Sequence, residues 1–208
     1  MKKIVFLSFI LILSACFKKD KTPPEISLIG NSVIFVPMGD IYIDQGASAT
    51  DNRDGNINKY IVKKGDVNTN ICGQYSIEYS VKDASGNFAP QIKRTVYVTL
   101  FNYHLTSVFN TNQLNPNNSI SNYFISVSKN DQNNRIIYLN NVFNIQDLKL
   151  EAELLGFTNQ SVNIPYQIVG DTTYFGSGSI NETGSEMIFS ITKVAAFFTQ
   201  SYILNLKK

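Results

Sequence analysis

The chain has 208 residues, a formal charge of +2 and only 16% charged residues. It therefore lacks the basic excess that nucleic-acid binding requires against phosphate backbones, and no nucleic-acid partner is expected. Two cysteines, Cys16 and Cys72, are too few for a disulfide framework.

The N-terminus carries Lys2 and Lys3, a ten-residue apolar run over 4–13, and then Ser14, Ala15 and Cys16. A basic start, a short apolar stretch and small residues before a processing point are the layout of a secretory signal. The run falls short of the roughly 20 apolar residues a helix needs to cross a bilayer. Leu13, Ser14, Ala15 and Cys16 resemble the lipobox of bacterial lipoprotein signal peptides. The resemblance implies thioether lipidation of Cys16, cleavage before it and acylation of the new amino terminus. A signal peptide at 1–15 and a lipidated tether at 16–21 follow, and the membrane becomes the first expected partner. The alternatives are an ordinary cleaved signal in which Cys16 is incidental, or an uncleaved N-terminal anchor. One acyl chain holds a protein only marginally, so the two or three chains of a lipoprotein matter. Loss of Lys2 and Lys3 leaves sixteen basic residues against sixteen acidic ones, a near-neutral mature chain. No aspartate directly follows Cys16, which by resemblance to sorting in enteric bacteria implies an outer-membrane location, facing the periplasm or the exterior. Lys19 and Asp20 faintly resemble the charged export signals of surface lipoproteins in the Bacteroidota.

From residue 22 to 100 the sequence reads as short alternating strands punctuated by Gly, Asp and Asn, the pattern of an antiparallel sandwich. Ile26 and Leu28, then 33–36, suit an edge strand that changes partner at 30–32. Over 74–82, Tyr75, Ile77, Tyr79 and Val81 take one face and polar residues the other. Residues 83–87 supply a turn with Gly86 at positive φ, and Val96, Val98 and Leu100 return in phase. Gly39, Tyr42, Asp44, Gly46, Ala47, Ala49, Asp51, Asp54 and Gly55, followed by Gly73, Tyr75, Tyr79, Asp83, Ser85, Gly86, Asn87 and Arg94, resemble the bacterial immunoglobulin-like domain first described in pesticidal crystal proteins. That resemblance implies a seven-stranded sandwich used as a spacer or adhesion module, without catalytic activity. Tyr75 suits a tyrosine corner. Arg94, on the inward phase with Val96 and Val98, is expected to be a structural ion-pair partner.

In such a sandwich the loops at 51–56 and 83–87 gather at one end, the end that carries the N-terminus. Asp51, Asp54, Asn56, Asp83 and Asn87 are then candidate ligands for calcium, which takes six to eight oxygens. The plainer role for Asp51 and Asp54 is to cap turns through backbone amides. Asn56 stands where the resembled family often has aspartate, which removes a charge. No other cofactor is implied.

Beyond 101, residues 110–122 are polar and read as a long loop around Pro116. Seven strand-like runs follow, at 123–128, 136–139, 148–155, 162–169, 173–180, 187–192 and 202–206, with 148–155 alone also compatible with a helix. The chain is thus expected to be all-β: two tandem antiparallel β-sandwich domains at 22–100 and 101–208, the first immunoglobulin-like, the second a sandwich or a small barrel. The second stretch weakly resembles the C-terminal β-domains of Bacteroidota surface lipoproteins.

Catalytic chemistry is sparse, and no enzyme is expected. His104, the single histidine, sits near the junction of the two halves and reads as a satisfied linker residue. Glu151 and Glu153 offer no acid–base asymmetry. Cys72 reads as a buried small hydrophobe. Carbohydrate sites stack sugars on aromatics beside Asn, Asp and Gln, so Tyr174, Phe175, Phe197 and Phe198, with Tyr202 beside them, are candidate ligand-binding residues, with a core role the plainer reading. The sequence therefore points to a monomeric, lipid-anchored envelope protein that binds a glycan or another envelope protein, or else serves as a structural spacer.

Overall fold

The computed structural model describes residues 19–208, so Cys16 and the rest of 1–18 lie outside the described residues. The first half contains β1 (Glu25–Leu28), β2 (Val33–Pro37), β3 (Ala47–Asp51), β4 (Gly55–Asn56), β5 (Val62–Lys64), β6 (Gly73–Ser80) and β7 (Ile92–Thr99). They form two sheets, ordered β1-β3-β4 and β2-β7-β6-β5. The edge strand does change partner as the 30–32 break implied: β1 runs antiparallel to β3, whereas β2 lies parallel to β7. Alternation along β6 places Ile77 and Tyr79 in the core while Gln74 and Ser76 face water. Gly86 adopts φ +92° in the turn before β7, as expected. The hydroxyl of Tyr75 donates to the Ile71 carbonyl at 2.8 Å, four residues upstream, which is the hydrogen bond of a tyrosine corner.

The second half is a closed barrel. After a short helix α1 (Asn102–Leu105) come β8 (Ser107–Leu114), β9 (Ile120–Lys129), β10 (Ile136–Asn140), β11 (Lys149–Leu155), β12 (Ser161–Val169), β13 (Thr172–Ile180), β14 (Glu186–Ala195) and β15 (Phe198–Lys207). Each strand pairs antiparallel with the next, and β15 pairs with β8 to close the ring. Eight strands leave an interior just wide enough for side chains to fill. Here Phe109, Ile125, Leu139, Leu150, Phe189 and Leu204 fill it, all fully buried, so the barrel is a packed core and not a channel. Among the described residues no helix is long and apolar enough to cross a membrane.

One expectation for this half is corrected. The segment 110–122 is not a long loop: β8 and β9 run through it and only 115–119 forms the turn, with Asn115 N–H donating to Ser119 O at 2.9 Å. The loop reading failed because Thr111 and Gln113, which take core-facing positions, are polar and break the apolar alternation. The run at 148–155 is a strand as expected, β11, with Leu150, Ala152 and Leu154 inward, which removes the helical alternative.

The alternating strands sort the barrel turns into two ends. Turns 156–160 and 181–185 meet the sandwich, and 130–135, at the same end, packs on α1. Asn102 Nδ2 donates to the carbonyls of Asn130, Asn133 and Ile136. Leu100 N–H donates to Thr158 O at 3.0 Å, and Cys72 N–H to Glu182 O at 2.8 Å. Turns 115–119, 141–148, 170–171 and 196–197 therefore form the far mouth.

Candidate functional site

At the end of the sandwich remote from the barrel, the 51–56 and 83–87 loops do meet. Ala84 N–H donates to Asp54 Oδ2 at 2.7 Å across the two loops. Asp51 Oδ1 accepts the N–H groups of Arg53 and Asp54, both at 2.9 Å, which caps the turn that Gly55 completes. Asp83 accepts from Asn87 twice, from its N–H at 2.7 Å and its Nδ2 at 2.6 Å. Burial opposes charge on Asp83, but these bonds and the N–H groups of Gly86 and Ser85 outweigh it and hold the carboxyl below its usual range.

The ligand set expected from sequence is only half assembled. Asp51 and Asp83 come together with Asp20, their carboxylate oxygens within 4.8 Å of one another. Asp54 is occupied by Ala84, and Asn56 is exposed with its Oδ1 accepting from Asn58 N–H at 3.0 Å. Asn87 turns its nitrogen inward, donating to Asp83, to Asp20 O at 3.2 Å and to Thr22 O at 3.3 Å. Asp20 was missed because it lies in the tether, where no periodicity marks it; the Asp-rich loops at the same end were the available signal.

The far barrel mouth holds a second cluster. Tyr174 is buried there and stacks on Phe143 with ring centroids 6.0 Å apart, and Phe143 meets Tyr202 at 4.7 Å. Phe143 sits at φ +57°, a left-handed conformation that costs a non-glycine residue roughly 1–2 kcal/mol. It is held by its N–H donating to the Tyr123 hydroxyl at 3.0 Å. That hydroxyl donates to Gln113 Oε1 at 2.7 Å, and burial pushes its pKa up to about 12. Asn115, Asn117, Ser119 and Gln200 border an open cleft of about 450 Å³ against Tyr202.

Of the aromatics expected to bind a ligand, Tyr174 and Tyr202 meet at the mouth around Phe143, and Phe175, Phe197 and Phe198 do not join them. Neighbours on a strand point to opposite faces, so Tyr174 enters the mouth while Phe175 lies outside, stacked on Tyr166 at 4.3 Å. Phe197 projects from the β14–β15 turn at 99% exposure, and Phe198 carries the Lys193 ammonium 5.7 Å over its ring. Tyr123 and Phe143 were not singled out, since Tyr123 sits on strand β9 as an ordinary aromatic and Phe143 lies in a non-periodic turn.

A family model described as bacterial surface protein, Ig-like domain, matches residues 26–98. Residues 26–98 are a surface Ig-like domain. A domain of bacterial surface proteins accords with a cell-envelope location. Among curated proteins nothing matches the chain. Among solved structures it is similar to a lipoprotein from Bacteroides thetaiotaomicron, at 16% identity over 88% of this chain and 100% of that one, with a TM-score of 0.37. It is also similar to a structure from Clostridium perfringens ZmpB holding the CBM51-2 and INT domains with GlcNAc, at 15% identity over 88% of this chain and 44% of that one, TM-score 0.32.

In the surface Ig-like domain the buried polar centre is structural, as the phase of Arg94 implied. Arg94 is 1% exposed and pairs with Asp44. It also donates from Nε to Asn31 O at 3.0 Å and from its terminal nitrogens to the carbonyls of Ile29 and Gly46. Asp44 accepts further bonds from the Tyr79 hydroxyl at 2.5 and 2.6 Å and a contact from Lys63 Nζ at 3.1 Å. Three backbone carbonyls and an acid thus satisfy a buried guanidinium, which otherwise carries a heavy desolvation cost. His104 is likewise spent at the junction: Nδ1 accepts Phe101 N–H at 2.8 Å, and Nε2 lies 2.9 Å from Met38 O. Burial, with Glu182 nearby, pushes the Cys72 thiol up to about 12 and leaves it a core residue.

Proposed function

We propose that the protein is a non-catalytic, lipid-anchored lipoprotein of the outer membrane that binds a glycan at the far mouth of its barrel. The observation that carries this reading is the mouth itself, where Tyr202, packed on Phe143, lines an open cleft with the amides of Asn115, Asn117 and Gln200. Aromatic faces with amide donors and acceptors are the chemistry that grips a sugar ring, apolar on one face and rich in hydroxyls at its rim. Barrel mouths are common ligand sites, and Phe143 in a left-handed turn is a form of strain that clusters at ligand clamps. A non-catalytic role is supported by the engagement of both nitrogens of His104 and by the outward, strand-borne positions of Glu151 and Glu153.

A second reading, a spacer that carries another envelope protein, is favoured by the heavily bonded junction between sandwich and barrel. The test is a glycan array probed with the full chain and with Tyr202→Ala, paired with protease shaving of intact cells. The expected result is binding to one glycan class, weakened at least about tenfold in Tyr202→Ala, a loss of about 1.4 kcal/mol. Binding to no glycan would remove the glycan reading and leave the spacer.

A further inference from the structure

We infer that Asp20, Asp51 and Asp83 form a calcium site that fastens the segment leading from the membrane to the end of the surface Ig-like domain. Three carboxylates from three separate stretches of chain converge here, each nine-tenths or more buried, with ligand oxygens within 4.8 Å of one another. Calcium–oxygen bonds are about 2.3–2.6 Å, so two ligands of one ion stand at most about 5 Å apart. The observed separations fit a single ion without moving the backbone. The donors are all oxygen, which selects a hard cation over zinc or copper.

A second observation points to a ligand. Among the described residues, Asp51 Oδ2 is the buried side-chain atom without a hydrogen-bond partner. Its sister Oδ1 is committed to the N–H groups of Arg53 and Asp54, so turn capping explains one oxygen and leaves the other. A buried, unpaired carboxylate oxygen beside two further carboxylates is unfavourable unless a positive charge joins them. Arg53 contributes one, with its Nε 3.5 Å from Asp20 Oδ2, but it is half-exposed and brings a single charge to a cluster of three carboxylates. A divalent cation supplies the missing charge.

The remaining bonds hold the ligands in place in advance. Thr22 N–H donates to Asp20 Oδ1 at 3.0 Å, and Asn87 holds Asp83 from both its N–H and its side chain. A carboxylate offers about four lone-pair positions. Each of these acids therefore keeps capacity for an ion after its backbone bonds are made. The Asn87 amide also reaches the carbonyls of Asp20 and Thr22. Leader and loops thus touch without metal, and the ion locks the contact. This site is separate from the barrel mouth, and its success or failure leaves the glycan reading untouched.

The test uses the full chain, stripped with chelator and titrated with calcium chloride by calorimetry, with melting temperatures read in calcium and in EGTA. One calcium per chain is expected, with a Kd of about 10⁻⁴–10⁻³ M as in extracellular modules, and a higher melting temperature in calcium. Asp51→Asn keeps the capping oxygen and removes the charge, so it should abolish binding while its metal-free melting temperature stays equal or rises. Asp20→Asn lies outside every strand, leaves folding intact and should weaken binding at least about tenfold. No binding up to about 10 mM, well above that affinity range, with equal melting temperatures in calcium and chelator, would overturn the site. So would calcium binding that survives unchanged in both variants.

Discussion

Arg94 and Asp44 define what a single buried pair does in this chain. Removing one partner of such a pair leaves the other charge uncompensated, at a cost of about 3–5 kcal/mol. Arg94→Met is expected to lose stability on that scale in a urea titration, and Tyr79→Phe about 1.5–3 kcal/mol, because its hydroxyl bonds a charged acceptor. Burial alone would raise the pKa of Asp44, but hydrogen bonds from Tyr79, Gly46 N–H and Lys63 outweigh it and hold the carboxyl at about 2. The unfolded value is about 3.9, so unfolding takes up a proton between the two values. The stabilisation, about 2 kcal/mol, is complete above the unfolded pKa and disappears as pH falls through about 2. Urea midpoints measured between pH 2 and 5 should therefore fall more steeply for the native protein than for Asp44→Asn. Equal slopes would mean that Asp44 titrates normally in the folded state.

At the scale of elements, the barrel depends on where its interior has no side chain. Gly178 on β13 faces inward, and a Cβ there would stand 2.3 Å from the Phe189 ring and 2.5 Å from Ile188 O. One of these neighbours is backbone and cannot swing aside. Gly178→Ala should cost about 1–3 kcal/mol or more by overpacking, whereas Ser177→Ala, on the outer face, should stay within about 0.5 kcal/mol. Thermal melts of the two variants decide it. The same alternation explains which elements were legible in the sequence. β6 and β7 could be read because each inward position is apolar, with Arg94 the one exception and itself marked by its phase. β8 could not, because Thr111 and Gln113 hide its inward face behind polar side chains, and without it the ring lacked its eighth member. The loop cluster was legible as far as Asp51 and Asp83, which share a motif. Asp20 and the mouth residue Phe143 were not, since convergence across tens of residues and a left-handed turn leave no periodic trace.

Across the whole molecule, the barrel core continues into the junction end of the sandwich, while the far end of the sandwich keeps a separate cluster of Ala49, Ile57, Val81 and Ala89. Cys72, Val98 and Leu100 of the surface Ig-like domain belong to the same buried apolar cluster as Leu105, Phe109 and Leu154. The turn at 156–160 lies along the end of β7. Thr99 Oγ1 donates to Phe157 O at 2.9 Å, and Asn159 Nδ2 donates to Leu100 O at 2.6 Å from a left-handed backbone at φ +59°. Outside this seam Phe157 packs on Tyr97 and Phe35, with centroids 4.9 and 5.9 Å away. An interface that contributes to both cores cannot be lost by one half without exposing apolar surface and unpaired carbonyls in the other. Calorimetry of the full chain should therefore show one unfolding transition whose calorimetric and van't Hoff enthalpies agree, despite two distinct β-architectures. Asn159→Ala removes the buried donor to Leu100 and puts alanine at positive φ, a loss of about 1–3 kcal/mol for the hydrogen bond alone. Combined with Phe157→Ala, it should split the endotherm into separate sandwich and barrel transitions. Two transitions already present in the native chain would show instead that the junction is a contact between independent domains.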